Sequence, residues 1–215
     1  MASPRSTCLL ATAVIALGLG VPLGSLAQQA GPAAIQPAAQ SPAKASAHAA
    51  SGVDEAFIQK QFGATCKLMP GPAPLTADLD GDGIEDVVIA ARCTNPLLDQ
   101  TEDNYRVIDP YNTYFGYGDP KISTQFASED PVSRGLVLLV IHGAGPEAWR
   151  AETPKAKFII INLPFKEVMV KKMPFHKRNI AAIFAAEAHE GEGTVSVVFW
   201  DGKKYRYQPL GSSME

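Results

Sequence analysis

The chain has 215 residues and a formal net charge of −3. Two of its 19 basic residues, Arg5 and Lys44, precede position 52, but none of its 22 acidic residues does, so the remainder is acidic, with 17 basic residues against 22 acidic ones. A mildly acidic chain without a basic stripe is a poor candidate for nucleic acid, and we therefore expect no nucleic-acid partner.

The first 27 residues have the pattern of a cleavable signal peptide. Arg5 provides the positive start, an apolar run follows over residues 8–21, and Ser25-Leu26-Ala27 supplies the small-residue cleavage site. The alternative is a transmembrane anchor, but glycines interrupt the run, which falls short of the roughly 20 apolar residues of a bilayer span. We expect cleavage after Ala27, no membrane span in the mature protein, and a periplasmic or secreted location.

Residues 28–51 are almost entirely Ala, Gln, Pro, Ser and Gly. A segment of this composition lacks the large apolar side chains that offset the entropy of ordering, and it predicts a disordered linker. Residues 52–215 have the size of a single domain.

One helix and a series of strands are predicted after the linker. Ser51 is a candidate N-cap, Asp54 completes a capping box, and Gly63 fits the end of the helix. Short apolar runs separated by turn residues then predict strands at 87–93, 136–142, 158–162, 168–171, 180–186 and 195–200. Residues 136–141 are apolar at every position, which predicts a strand covered on both faces. We expect an α+β fold in which an N-terminal helix packs on a largely antiparallel sheet.

Cys66 and Cys93 are the only cysteines after the signal peptide. An even pair in an oxidising compartment predicts a disulfide bond. The alternative is a pair of buried free thiols.

The nine residues 78–86 read Asp-Leu-Asp-Gly-Asp-Gly-Ile-Glu-Asp and are called the aspartate loop below. Calcium takes six to eight oxygen ligands, and a tight loop supplies them by alternating ligand and spacer residues around a glycine such as Gly83. No basic residue within the loop neutralises its carboxylates. The pattern predicts a structural calcium site with the ligands Asp78, Asp80, Asp82, the carbonyl of Ile84, and Asp86. The alternative is an acidic turn satisfied by its own backbone amides.

This loop resembles the calcium loop of FG-GAP repeats. A helix-loop-helix calcium hand ends with Glu at the twelfth position, where this chain has Ile89, and here the loop runs directly into a predicted strand. The resemblance covers residues 75–90 and implies an ion that holds a β-hairpin rather than one that performs chemistry. A propeller needs several such repeats and only one is present, so the propeller is not implied. The whole chain resembles a group of small exported bacterial proteins that join one aspartate loop to a closing hairpin, a likeness that implies no particular activity.

The closing hairpin is predicted at Asp201-Gly202, because this dipeptide accepts the positive φ angles of a type I′ turn. A two-residue turn pairs Trp200 with Lys203 and places Trp200, Tyr205 and Tyr207 on one face. These rings either cover the core or form a ligand platform.

Residues 95–131 show no sustained helical or strand period, yet they are rich in aromatic residues. A long connection in a compact domain is usually functional or disordered, and its aromatic content argues against disorder. We therefore name a candidate ligand surface formed by Tyr105, Tyr111, Tyr114 and Tyr117. The alternative is that these rings pack onto the sheet as a lid.

These patterns favour an exported, non-catalytic binding module with an unknown protein or glycan ligand. The alternative is a secreted or periplasmic hydrolase with an unrecognised site. Residues 138–145 resemble the oxyanion-hole strand of an α/β-hydrolase, but the chain has no Gly-x-Ser-x-Gly nucleophile elbow.

Overall fold

The computed structural model describes residues 48–117, 126, 131, 133–187 and 194–212. The predicted signal peptide and most of the predicted linker lie outside the described residues. All described residues belong to one compact unit within 43–215. Among the described residues, no helix has the length and apolar character required to cross a membrane.

Eleven strands and three short helices make up the described fold. The larger sheet contains β1 His48–Ala49, β2 Cys66–Leu68, β3 Leu75–Ala77, β4 Asp86–Cys93, β5 Arg106–Ile108, β6 Leu136–His142 and β7 Ala156–Ile160. The smaller sheet contains β8 Phe165–Phe175, β9 Arg178–Glu187, β10 Thr194–Trp200 and β11 Tyr205–Ser212. The helices are α1 Glu55–Phe62, α2 Pro110–Tyr114 and a 3₁₀ helix, Gly145–Arg150.

The larger sheet has the order β1-β3-β4-β6-β7-β5, and β2 pairs with β4 beside this path. The smaller sheet is a meander in which β8 to β11 follow one another. Among the described strands, only β5 and β7 pair in parallel. The prediction of a largely antiparallel sheet is confirmed, and the described fold is dominated by strands with few helices.

Two cores lie on opposite faces of the larger sheet, and β6 contributes to both. Leu138 and Val140 pack into the cluster between the two sheets, whereas Leu139 and Ile141 pack into the cluster on the other face. Successive residues of a strand point to opposite faces, so a strand buried on both sides is apolar throughout. The prediction for residues 136–141 is confirmed.

Helix α1 covers the face of the larger sheet that is turned away from the smaller one. Ile58 and Phe62, one helical turn apart, are buried in the same cluster as Leu139. The helix ends at Gly63, as predicted, but its N-cap is Asp54 rather than Ser51. Oδ1 of Asp54 accepts a hydrogen bond from the backbone N–H of Phe57, three residues on, which is the spacing an N-cap requires.

Order begins before position 52, which corrects the predicted linker boundary. His48–Ala49 pair with β3 as an edge strand, and the N–H of Ala50 donates to the carbonyl of Pro74. Backbone pairing at a sheet edge needs no large apolar side chain, so composition does not reveal it.

The disulfide between Cys66 and Cys93 is present, as predicted. The two cysteines are directly opposite one another in the β2–β4 pair, and their Cα atoms are 4.0 Å apart. The bridge attaches the chain that follows α1 to the central strand β4.

The closing hairpin differs from its predicted register. Trp200 pairs with Tyr205, so residues 201–204 form a four-residue connection in which the N–H of Asp201 donates to the carbonyl of Lys204. Because side chains alternate with a period of two, this shift of two residues leaves Trp200, Tyr205 and Tyr207 on one face. Tyr205 and Tyr207 are buried in the cluster between the sheets, and Trp200 packs against it.

The segment 95–131 contains two elements that were not predicted, β5 and α2. A strand of three residues and a helix of five are too short to produce a recognisable period. Their positions decide which tyrosines reach the surface.

Candidate functional site

The aspartate loop connects β3 to β4 and is organised around Asp78. Its Oδ1 accepts hydrogen bonds from the backbone N–H groups of Gly81 and Asp82 at 2.7 and 3.1 Å, and its Oδ2 accepts one from Gly83 at 3.0 Å. Gly83 has φ +86°, a conformation that side chains with a Cβ adopt at a cost. The backbone therefore wraps around a single carboxylate.

Asp86, at the end of the loop, is fully buried. Its Oδ2 accepts from the N–H groups of Leu79 and Asp80, and its Oδ1 accepts from Gly143 at 2.8 Å. Gly143 follows β6. It lies so close to Glu85 that a Cβ atom on residue 143 would overlap the carbonyl oxygen of Glu85. Burial raises the pKa of Asp86 to about 7, although the three amide hydrogen bonds oppose this shift.

Three carboxylates of the loop converge. One oxygen from each of Asp78, Asp80 and Asp86 lies within 4.8 Å of the other two. Because Ca–O distances are about 2.3–2.6 Å, two oxygens on one calcium ion can be roughly 5 Å apart. The cluster could hold a metal ion, and its all-oxygen donors are those that a hard cation such as calcium prefers.

A single lysine from outside the loop contacts this cluster. Nζ of Lys155 lies 2.7 Å from Oδ2 of Asp80 and 2.5 Å from Oδ2 of Asp82. These contacts raise the pKa of Lys155 and lower the pKa of Asp82. One ammonium group leaves most of the loop's negative charge uncompensated. Because the Lys155 side chain is half exposed, it can move into solvent when a metal ion binds.

A buried histidine supports the loop from the core. Nδ1 of His142 lies 3.3 Å from Oδ2 of Asp80, and Nε2 lies 2.7 Å from the hydroxyl of Tyr205. Burial lowers the pKa of His142 to about 4, despite the opposing charge of Asp80, so the ring is neutral at pH 7. A neutral ring that donates from Nδ1 to the carboxylate accepts the Tyr205 O–H at Nε2. These two hydrogen bonds connect the loop to β11.

Of the five predicted calcium ligands, the structure brings together Asp78, Asp80 and Asp86. Asp82 instead faces Lys155, and its Oδ1 accepts the N–H of Ile84. The ligand roles of Asp82 and of the Ile84 carbonyl therefore stay predictions.

Sequence reasoning missed His142 and Lys155 because they follow the end of the loop by 56 and 69 residues. One signal pointed to His142. The apolar run 136–141 ends at this residue, and an ionisable side chain at the end of a buried strand requires a partner.

The predicted tyrosine surface is only partly exposed. Tyr105 is buried and its hydroxyl donates to the carbonyl of Pro96, so it does not belong to an exposed surface. Tyr111 is half-buried, with its ring 5.1 Å from that of Tyr207. Three neighbours are exposed and are called the aromatic surface: Tyr114 (52 %), Phe115 (48 %) and Tyr117 (75 %).

Helix α2 holds the aromatic surface in place through Asp109, its buried N-cap. Oδ1 of Asp109 accepts the N–H of Asn112, and Oδ2 accepts the side-chain amides of Asn112 and Asn162. Asn162 follows β7, so this network anchors the helix to the larger sheet. The rings of Tyr114 and Phe115 also lie 5.4 and 6.1 Å from the ring of Tyr207 on β11.

The chain matches no protein-family model, no curated protein and no solved structure. The geometry of the aspartate loop and of the aromatic surface is therefore the basis on which function is inferred.

Proposed function

We propose that this protein is an exported, non-catalytic binding module that docks a protein or glycan through its aromatic surface and uses calcium to hold the adjoining fold. The observation that carries this proposal is the aromatic surface itself: three neighbouring aromatic residues, each about half exposed or more, follow one another on and after a short anchored helix.

Adjacent exposed rings are a hallmark of recognition surfaces. Aromatic side chains are enriched where partners dock, because they bury a large area at little rotamer cost. The contacts with Tyr207 and the Asp109 network restrict the rings further, which lowers the entropy that binding would cost.

The calcium part of the proposal is supported by the converging oxygens of the aspartate loop. In the FG-GAP-like arrangement, Asp82 and the carbonyl of Ile84 would complete the ligand set once Lys155 has moved away. The ion would join β3 to β4, and the contact from Asp80 through His142 to Tyr205 would transmit this order to β11. Calcium would therefore act as a structural ion.

Within the described part of the chain, the alternative, a hydrolase, has one candidate acid–histidine pair, Asp80 and His142. His142 is only 2 % exposed and is enclosed by the rings of Phe158, Trp200 and Tyr205. A general base must come within hydrogen-bonding distance of the substrate proton, and this enclosed ring has no room for one. The arrangement favours binding over hydrolysis.

Export is supported by the disulfide in the described domain, because such bonds persist in oxidising compartments. Together with the signal-peptide pattern of residues 1–27, it favours a periplasmic or secreted location.

Thermal unfolding with chelator and with calcium tests the structural ion. For a dissociation constant of about 10⁻⁴ M, typical of extracellular sites, 10 mM calcium would stabilise the domain by about 2.7 kcal/mol. Asp80→Ala should abolish this shift, whereas Asp201→Ala, in the closing hairpin outside the loop, should preserve it. Identical wild-type melts in both conditions would refute the calcium site.

Site-specific photocrosslinking and a glycan array test the aromatic surface. A photoreactive phenylalanine at position 117 should capture a protein partner in the native compartment, and the same group at the exposed position Leu98 should not. If the ligand is a glycan, the array signal should disappear in Tyr114→Ser/Tyr117→Ser without a change in melting temperature. Equal crosslinking at both positions, together with array binding that is absent or insensitive to these changes, would refute the proposal.

A further inference from the structure

The hairpin formed by β8 and β9 is a local exception to the acidic charge of the domain. Residues 165–187 contain five basic and two acidic side chains. Among the described residues, Lys171, Lys172 and Arg178 have no ion-pair partner. Unpaired cations concentrated on one hairpin create a positive local potential.

Lys172 and Arg178 line one wall of a cleft between the hairpin and the outer side of the aspartate loop. Lys171 points to the opposite face of the strand, where its Nζ lies 5.9 Å from the centre of the Phe184 ring. The cleft has a volume of about 550 Å³, within the roughly 300–1,000 Å³ of small-molecule sites. Arg178 extends across the cleft toward the loop. Its Nη1 lies 3.9 Å from the position that a Cβ on Gly81 would occupy.

The two carboxylates on the opposite wall already have partners. Asp78 accepts three backbone N–H groups, and Oε2 of Glu85 accepts the indole N–H of Trp149 at 3.1 Å. Both carboxylates keep their negative charge, but their oxygens already accept hydrogen bonds, whereas among the described residues Lys172 and Arg178 have no ion-pair partner and can donate to a ligand.

Between the charged walls, the lining is apolar and includes Leu79, Val170 and Ile180. An apolar floor beside two unpaired cations fits a ligand with a hydrocarbon body and an anionic end. Charge-assisted hydrogen bonds from Lys and Arg would hold the anionic group, and the floor would bury the body.

We propose that this cleft binds amphipathic anions, small molecules with an apolar body and a carboxylate, sulfate or sulfonate group, through Lys172 and Arg178. This site is separate from the aromatic surface and does not require calcium. Its test can therefore be performed in chelator, so that failure of the calcium proposal does not affect the outcome.

The probe is 8-anilinonaphthalene-1-sulfonate, whose fluorescence rises when its rings leave water. Arg178→Ala and Lys172→Ala should each weaken its binding about tenfold, the effect expected for losing a hydrogen bond to a charged group. Lys177→Ala provides the matched control, because Lys177 is exposed on the same hairpin but does not line the cleft. It should change the affinity less than twofold.

Competition identifies the chemistry that the cleft recognises. Octanoate and octyl sulfate should displace the probe, whereas octanol and inorganic sulfate should not. Equal weakening by Lys177→Ala and Arg178→Ala, displacement by octanol as effective as by octanoate, or loss of probe binding in Tyr114→Ser/Tyr117→Ser would overturn the proposal. Retained melting temperatures exclude misfolding as the cause of any loss.

Discussion

The aspartate loop and the closing turn, residues 201–204, are built from the same Asp-Gly chemistry but differ in how their charge is balanced. In the closing turn, Oδ1 of Asp201 accepts the N–H groups of Lys203 and Lys204, and Oδ2 pairs with Nε of Arg206 at 2.6 Å. One carboxylate has two amides and one cation, and the turn is complete by itself. The aspartate loop places four aspartates around one lysine from a distant part of the chain.

This difference indicates what each turn requires. A single carboxylate already paired with a cation, such as Asp201, needs no ion from solution, whereas crowded carboxylates repel one another until a cation is added. The two turns also differ in depth, since Asp86 is buried and Asp201 is near the surface. Mutations at equivalent groups should therefore have unequal effects in the two turns.

The largest effect is expected from Asp86→Ala. It leaves the N–H groups of Leu79, Asp80 and Gly143 without an acceptor beneath the loop, and each buried unpaired amide costs roughly 1–3 kcal/mol. Relief from burying a carboxylate offsets part of this cost, so the free energy of unfolding should fall by about 3 kcal/mol. Asp201→Ala should cost about 1 kcal/mol, because water can replace the acceptor for exposed amides. Urea unfolding in chelator measures both, and equal losses would contradict the comparison.

The sequence predicts those parts of this site whose residues are close together along the chain. The aspartate loop is local, so the spacing of its residues revealed the cluster of Asp78, Asp80 and Asp86. The partners Lys155 and His142 reach it only because β6 and β7 pair in register, with His142 opposite Ala156. No local pattern specifies that register, so the sequence does not reveal that Lys155 neutralises part of the loop's charge.

The same limit applies to the fold. Alternation and apolar runs predicted the long strands, whereas β5 and α2 depend on the edge of β7 and on Asn162. Burial of Tyr105 and exposure of Tyr117 follow from those contacts. The register of the closing hairpin was missed for a different reason: Asp201 accepts from the amides of Lys203 and Lys204, which favours a longer connection than the dipeptide alone suggests.

An intermediate effect is expected from Lys155→Met, which removes the only lysine or arginine that forms ion pairs with the loop among the described residues. In chelator, the variant should be less stable by up to about 1 kcal/mol, since the lysine is half exposed and its ion pairs are screened. In calcium, the variant should bind the ion about tenfold more tightly, because no ammonium group competes for Asp80 and Asp82.

Arg206→Met is the matched control for this change, because Arg206 has the same relation to Asp201. It should cost about 0.5 kcal/mol and leave the calcium affinity unchanged. Isothermal titration calorimetry measures the affinities. If Lys155→Met binds calcium no more tightly than the wild type, then lysine and calcium do not share a site.

The smallest effect is a pH dependence confined to the closing turn. Burial opposes ionisation of Asp201, but hydrogen bonds from Arg206 and from the amides of Lys204 and Lys203 outweigh it and lower the pKa of the carboxyl to about 2. An acid whose pKa is lower in the folded than in the unfolded state, where it is about 3.9, stabilises the fold above that unfolded value. This stabilisation is lost as the pH falls from about 4 through 2.

Asp201→Asn keeps an oxygen for the two amides and removes only the charge. Because Arg206 is half exposed, the wild type should be more stable than this variant by only about 0.5 kcal/mol at pH 6. The difference should shrink below pH 4 and decrease in high salt. Urea unfolding from pH 6 to pH 3 measures it, and a difference that stays constant over this range would show that the Arg206 pair does not stabilise the turn.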